Sequence, residues 1–233
     1  MKAIIMAGGK GTRLMPLTKD IPKPMVKILD VPIIEHVINL CKRHDITDVA
    51  ITVGHLHEKI ISYLQNGEKL GINLTYFIEN QPLGTAGGVK QASSFIDDEE
   101  DFFVLSGDAY SRIDLSKAYD FHKKKNSLFT IIAQPHYRPT GLGVLNVDYD
   151  NHVSEFIEKP SSPTPSLINT GIYVMNKSIL NLIPNGFYDF GKDLLPKLTN
   201  VAYAYIDYNY WSDIGTLTSY YKTNLFVVEE MHT

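Results

Sequence analysis

Three separated stretches of this chain carry side chains suited to handling phosphates. The first is Gly8-Gly9-Lys10-Gly11-Thr12-Arg13, followed by Pro22-Lys23-Pro24. In a glycine-rich turn the backbone N–H groups can approach phosphate oxygens closely, because no Cβ intervenes. A guanidinium at Arg13 can fork onto two oxygens, and the flanking prolines stiffen the backbone that carries Lys23. The second stretch, Ser106-Gly107-Asp108, follows the apolar run Phe102 to Leu105; the third is Trp211-Ser212-Asp213-Ile214-Gly215-Thr216. Magnesium bound to phosphates takes one or two carboxylates and keeps waters, so Asp108 and Asp213 suffice if they converge. Taken singly, each aspartate reads equally well as a helix or turn cap.

Two familiar phosphate loops do not fit the first stretch. A Walker A loop needs Gly-Lys-Ser/Thr, but here Lys10 precedes Gly11 and no such triplet occurs. A dinucleotide fingerprint needs a third glycine where Leu14 stands, and Pro16, Pro22 and Pro24 would interrupt the helix it requires. What remains is a backbone nest followed by two fixed cations.

The elements that must position these residues alternate. Lys2 to Met6 reads as a buried strand entering a glycine turn, and residues 32 to 41 carry apolar side chains at helical spacing. A strand at 48 to 54, a helix near 56 to 66, a strand at 73 to 78, a helix from about 85 to 95 and the strand Phe102 to Leu105 follow. This β/α alternation predicts a mostly parallel sheet covered by helices on both faces. Asp108 then falls at a strand's C-terminal end, where ligands of open α/β sheets gather. From about residue 128 the texture changes to strands at Leu128 to Ala133, Gly143 to Val147, His152 to Ile157 and Ile168 to Met175, so a mixed sheet is expected there. Residues 161 to 166 read as an exposed loop, and a last helix spans about 216 to 229. No internal repeat is visible.

Composition narrows the class of ligand. At 233 residues and 44% hydrophobic composition, one large domain is expected. The formal net charge of -4, from 22 basic and 26 acidic residues, supplies no broad field for nucleic acid or anionic membrane, so phosphate recognition must be local. Cys41 is the only cysteine, which excludes an internal disulfide and a four-cysteine zinc site. The eight histidines lack paired helical spacing suited to zinc. No apolar run approaches the ~20 residues of a membrane span, and no signal-like segment opens the chain, so a cytoplasmic protein is expected. Asp97 to Asp101 reads as a solvated loop, and Lys123-Lys124-Lys125 as a helix C-terminus. Core and ligand-shelf roles are both open for Tyr203, Tyr205, Tyr208, Tyr210 and Trp211.

The run Gly8-Gly9-x-Gly11-Thr12-Arg13-Leu14-x-Pro16-Leu17-Thr18 with Pro22-Lys23-Pro24-Met25 resembles the signature of sugar-1-phosphate nucleotidyltransferases, or NDP-sugar pyrophosphorylases. The similarity continues to about residue 224. It implies a GT-A-like α/β fold with a Rossmann-like, mostly parallel mixed sheet flanked by helices. It further implies a single domain over 1–233, with a nucleotide-binding half (1–127) and a sugar-phosphate-binding half (128–233). Nucleotide contacts are implied for Ala7, Gly8, Gly9, Gly11, Thr12, Arg13, Lys23 and Gly107. The loop Glu79 to Gly88 is similar to the family's base and ribose pocket, bringing in Glu79, Pro82, Gly84 and Thr85. Glu158-Lys159-Pro160 resembles the element whose glutamate accepts from sugar hydroxyls and whose lysine binds the sugar phosphate; Gly143, Asn169 and Thr170 match further sugar-facing positions. Asp108 and Asp213 are implied Mg²⁺ ligands, and Arg13, Lys23 and Asp108 the catalytic groups.

The reaction so implied joins an NTP and a sugar 1-phosphate into an NDP-sugar and pyrophosphate. The form Pro82-Leu83-Gly84-Thr85-Ala86-Gly87 looks most like the mannose-1-phosphate guanylyltransferase branch. Guanine also presents two adjacent donors that a carboxylate at Glu79 could accept. Alternatives are thymidylyl, uridylyl or cytidylyl transfer to glucose 1-phosphate, and a catalytically silent sugar-nucleotide-binding subunit. Many relatives append a β-helix or a mutase domain; this sequence lacks one, so transferase activity alone is expected, with homo-oligomerisation an open possibility.

Overall fold

The computed structural model describes residues 1–9, 11–162 and 164–232. Lys10 of the glycine-rich stretch and Pro163 of the expected loop lie outside the described residues. In chain order the elements are β1 (Lys2–Ala7), β2 (Lys27–Ile28), β3 (Val31–Pro32), α1 (Ile33–Arg43), β4 (Asp48–Val53), α2 (His57–Leu64) and β5 (Asn73–Ile78). Next come α3 (Gly84–Gln91), β6 (Asp101–Ser106), β7 (Ala109–Ser111), α4 (Leu115–Lys125), β8 (Phe129–His136), β9 (Val144–Val147) and β10 (Val153–Ile157). The last are β11 (Ser166–Asn176), β12 (Ala202–Ile206), β13 (Trp211–Asp213) and α5 (Leu217–Glu230).

Nine strands form one sheet in the order β10-β9-β11-β6-β1-β4-β5, with β8 paired to β11 and β12 paired to β8. Strands β6, β1, β4 and β5 run parallel, as the β/α alternation predicts. The expected parallel bias ends at β11, which pairs antiparallel with β6, β8 and β9, so the second half turns the sheet into an even mixture. Only β12 there returns parallel, against β8. Because β11 hydrogen-bonds directly to β6, strands from both sides of residue 127 share one continuous sheet.

Strand β1 shows why these runs read as unbroken apolar stretches. Ile4 joins a core cluster on one face with α3 and Phe190, while Ala3, Ile5 and Ala7 join the cluster under α1 and α2. A strand buried on both faces has no polar side to alternate with. The helix expected to reach residue 95 stops at Gln91, and a separate 3-10 turn spans Ser93–Ile96. Glycines at 84, 87 and 88 make α3 a weak helix by propensity, and packing explains their presence below.

Asp101 departs from the solvated loop expected at 97 to 101. It opens β6, only 4% exposed. Its Oδ2 accepts from Lys123 Nζ at 2.8 Å and its Oδ1 from Asn176 Nδ2 at 2.8 Å, with the buried His122 Nε2 3.4 Å away. The lysine run stands at the C-terminus of α4 as expected, and gives Lys123 to a buried carboxylate. Burial alone would raise the Asp101 carboxyl, but hydrogen bonds from Lys123 and Asn176 and the charge of Lys123 outweigh it and hold it below 3.8. Burial holds His122 below 6.5, only partly offset by Asp101, so the ring folds neutral. Both shifts are downward, so protonation favours the unfolded chain. Stability is therefore expected to fall as pH drops below about 6.5 and again below about 4. In urea denaturation at neutral pH, Asp101→Asn is expected to cost about 1–3 kcal/mol. An unchanged midpoint would show that this buried network contributes nothing.

Candidate active site

A small buried cluster brings the candidate residues together. Leu14, Tyr110 and Ile214 pack with Val26, Ile28, Ile33 and Val227, each of the first three at most 2% exposed. Leu14 follows Arg13, Tyr110 stands two residues after Asp108, and Ile214 follows Asp213. Burying these three side chains therefore draws their polar neighbours to one place. The ribbon of β13 against β7 adds register, since Asp213 pairs directly with Ala109. Thr216 caps α5 immediately afterwards, accepting from Ser219 N at 3.1 Å.

The outcome is a three-membered ionic clamp. Lys23 Nζ donates to Asp108 Oδ2 and to Asp213 Oδ1, both at 2.7 Å, from a side chain whose residue is 6% exposed. Burial works against the Lys23 charge, but the two aspartates outweigh it and raise its pKa above the usual 10.5. Burial likewise opposes the Asp108 charge; Lys23, with a hydrogen bond from Ser106, prevails and holds that carboxyl low. Ser106 Oγ reaches Asp108 Oδ1 at 2.5 Å. The sequence places Lys23 among phosphate contacts; the structure gives its ammonium two carboxylate partners, leaving one of three N–H donors for an anion.

Glycines make the clamp possible. Gly11 has φ of +64°, and a Cβ there would lie 2.7 Å from Lys23 Cβ. At Gly215 a Cβ would lie 2.8 Å from Asp213 Oδ2 and 3.2 Å from Arg13 Nη2, so the Arg13 guanidinium passes directly over this residue. Gly107 N–H donates to Met6 O at 2.9 Å, and any side chain at 107 would strike that carbonyl.

Two cavities meet at Ser106 and Asp108. The larger, of about 720 Å³, opens over the C-terminal ends of β1, β4 and β5 and includes Gly8, Gly9, Glu79, Pro82, Gly84 and Thr85. Glu79 turns inward: its Oε2 accepts from Leu83 N at 3.2 Å, and its carboxylate lies where a Cβ on Gly8 or Gly88 would sit, 3.1 and 2.8 Å from Oε1. Burial lifts its carboxyl above the usual carboxylate range, partly offset by the Leu83 N–H. The smaller cavity, of about 200 Å³, takes in Arg13, Lys23, Gly143, Glu158, Lys159, Asn169, Thr170 and Asp213.

Within the smaller cavity several expected sugar-facing residues are already engaged. Glu158 Oε1 pairs with Lys159 Nζ at 2.8 Å, and Lys159 carries a φ of +50°, rare for a residue with a side chain. Thr170 is 1% exposed and its hydroxyl donates to Ile132 O at 2.7 Å, so it has only backbone to offer a ligand. Asn169 Nδ2 donates to the Tyr173 hydroxyl and its Oδ1 accepts from Gly171 N, both at 2.9 Å. Gly143 leaves room for Phe156 and Glu158. Of the aromatic cluster, Trp211 walls this cavity with its Nε1 buried and lacking a hydrogen-bond partner among the described residues, Tyr205 packs on the core, and Tyr210 stacks on Phe226.

Sequence reasoning separates the two sets less cleanly than the structure does. Ala7, Gly11, Thr12 and Gly107 line neither cavity, whereas Arg13 and Lys23 face the smaller one. Missed altogether is a strap from the second half, in which Phe187 and Asp189 wall the larger cavity. Tyr188 O accepts from Ala86 N and Gly87 N at 3.0 and 2.9 Å, and Tyr188 N donates to Leu83 O at 2.8 Å. Gly84, at φ of +72°, permits this docking, for a Cβ there would lie 2.5 Å from Tyr188 O. Thr85 Oγ1 donates to Asp189 Oδ2 at 3.0 Å and accepts from Phe190 N at 2.8 Å. Just after the strap, a Cβ at Gly191 would lie 2.5 Å from Glu158 Oε2, so this turn packs against a residue of the smaller cavity. The turn signals Pro184-Asn185-Gly186 mark a loop locally, but nothing local says where it docks.

The oxygen donors of Asp108 and Asp213 converge on a single nitrogen, which suits a small hard cation shared with substrate phosphates. Among the described residues no group of three or more His, Cys, Asp or Glu side chains forms a self-sufficient metal site. No helix among them is long and apolar enough to cross a membrane.

Comparison with known proteins agrees with this architecture. Residues 2–230 match the family model described as nucleotidyl transferase. A UTP–glucose-1-phosphate uridylyltransferase of Synechocystis is 36% identical over 95% of this chain and 62% of its own length. A mannose-1-phosphate guanyltransferase of Saccharomyces cerevisiae is 34% identical over 92% of this chain and 61% of its own. The chain thus spans about three-fifths of the length of these curated relatives. The crystal structure of HddC from Yersinia pseudotuberculosis superposes with a TM-score of 0.86 at 31% identity, covering 97% of this chain and 99% of that one. A second structure of that protein is described as complexed with GMP-PN, at a TM-score of 0.86. With a family match over nearly its whole length and relatives above 30% identity, this chain belongs to the nucleotidyl transferase family.

Proposed function

We propose that this chain transfers a nucleotidyl group from an NTP to a sugar 1-phosphate, releasing pyrophosphate, with GTP and mannose 1-phosphate or a related sugar as substrates. The observation that carries the reading is the meeting of two cavities at Asp108, beside the Lys23 clamp. The larger holds the nucleotide and the smaller the sugar 1-phosphate. A sugar-phosphate oxygen attacks the α-phosphorus in line and pyrophosphate departs, so no protein nucleophile is required. The task is to bring two polyanions together and to neutralise their charge.

Each residue has a part in that task. Arg13, lying over Gly215 and lining the smaller cavity with Asp108, forks onto the triphosphate and stabilises the leaving group. Lys23 fixes both aspartates and turns its third N–H to a phosphate oxygen. Lys159 binds the attacking phosphate, and Glu158 accepts from sugar hydroxyls. Asp108 and Asp213 would hold Mg²⁺, which would supply positive charge to the phosphates. Glu79, nested between Gly8 and Gly88 at the cavity floor, accepts from the N1–H and 2-amino group of guanine; uracil and thymine present one donor between two acceptors and match a carboxylate less well.

Pyrophosphate release across five nucleoside triphosphates, with mannose 1-phosphate and glucose 1-phosphate as acceptors, tests the reading directly. Release is expected to be greatest with GTP. Silence throughout, with tight NDP-sugar binding, would make the chain a binding subunit. Asp108→Asn is expected to lower turnover by about a hundredfold or more with folding intact by circular dichroism. More than half of wild-type activity would remove Asp108 from the mechanism. Arg13→Lys, which keeps the charge and loses the fork, is expected to be comparably severe; unchanged kinetics would make Arg13 structural. For Glu79→Gln the ratio of kcat/KM for GTP over UTP is expected to fall about tenfold to a hundredfold, and an unaltered ratio would free Glu79 from base selection.

A further inference from the structure

The strap at 187–190 has a feature that nucleotidyl transfer by itself does not explain. Its side chains alternate as on a strand: Tyr188 and Phe190 turn into the core, Phe190 stacking on Tyr173 at 4.9 Å, while Phe187 and Asp189 turn to the larger cavity. Phe187 is 65% exposed, although the next residue is pinned by three backbone hydrogen bonds to Leu83, Ala86 and Gly87, and Phe190 N donates to the Thr85 hydroxyl. A large ring held out on an anchored backbone is displayed there by the fold. It lines the same cavity as the Glu79 carboxylate.

We propose that Phe187 stacks on the face of the nucleobase, as a binding residue supplied by the second half of the chain to the nucleotide cavity. This rests on the nucleotidyl-transfer reading above and deepens it. The chemistry divides cleanly. A ring face attracts any base, because every base has a π-face, whereas a carboxylate at the base edge distinguishes donors from acceptors. Phe187 therefore supplies affinity without selectivity, and Glu79 supplies selectivity. The only flat, weakly solvated part of a nucleoside triphosphate is its base, so the ring engages that part and leaves ribose and phosphates to the polar groups. Gly191, just after the strap, lies against the Glu158 carboxylate, so the ring and a residue of the smaller cavity are held by neighbouring turns.

Isothermal titration of wild type and Phe187→Ala with GTP, UTP and inorganic tripolyphosphate tests this, with Phe187→Trp as the conservative control. The expected result for Phe187→Ala is a loss of affinity for GTP and UTP by similar factors, between about fivefold and a hundredfold, with tripolyphosphate unchanged and the tryptophan variant close to wild type. Nucleotide affinity within twofold of wild type would overturn the proposal. So would a parallel loss for tripolyphosphate, which would mean that the strap had shifted and the ring is structural. Wild-type protein that binds neither nucleotide would overturn the nucleotidyl-transfer reading, and the stacking with it.

Discussion

The ammonium of Lys23 between Asp108 and Asp213 is the interaction on which the site depends. Two carboxylates pressed together in a partly dry cleft would repel one another and drive up their own pKa values. One buried cation removes that conflict and holds both oxygens on a common point. The clamp is also a long-range tie, because its members come from the entry loop, the end of the central strand β6 and the ribbon before α5. Breaking one partner of such a pair leaves an uncompensated charge, which costs more than the intact pair contributes.

The clamp forms only because apolar packing delivers its members. Leu14, Tyr110 and Ile214 share one small core, and each is a close chain neighbour of a polar residue of the site. Glycines complete the arrangement by absence: at Gly11 and Gly215 a single methyl group would push against Lys23 or Asp213. Function here is positioned by a satellite core beneath the glycine-rich entry, while the two larger cores on either face of the sheet fix the strand ends from which that entry springs.

How much of this was legible in the sequence follows the range of the interactions. The strand at Lys2 to Met6, the turn glycines and the helices were readable because hydrophobic period and turn chemistry act over a few residues. Asp108 at a strand end and Asp213 before a capped helix were readable for the same reason. Asp101 was not: its acidic neighbours marked a solvated run, and only the approach of α4 and Asn176 makes a buried network of it. The strap at 187–190 was equally silent, since its docking on α3 is a contact between segments about a hundred residues apart. The mixed sheet expected from about residue 128 was legible, but which strands of it run antiparallel was not, because strand direction depends on which neighbour a strand meets.

By itself, then, the sequence determined which chemistry was available: a glycine nest, cations framed by prolines, and two separated carboxylates suited to phosphates and a hard cation. It determined those things because residue type and short spacing set donor inventory and local backbone. Only the tertiary structure decided that Lys23 faces carboxylates, that Thr170 gives its hydroxyl to the fold, and that Phe187 crosses from the second half to the larger cavity. Those outcomes depend on which buried surfaces and unsatisfied polar groups find one another once the sheet has closed, and no local pattern encodes that choice.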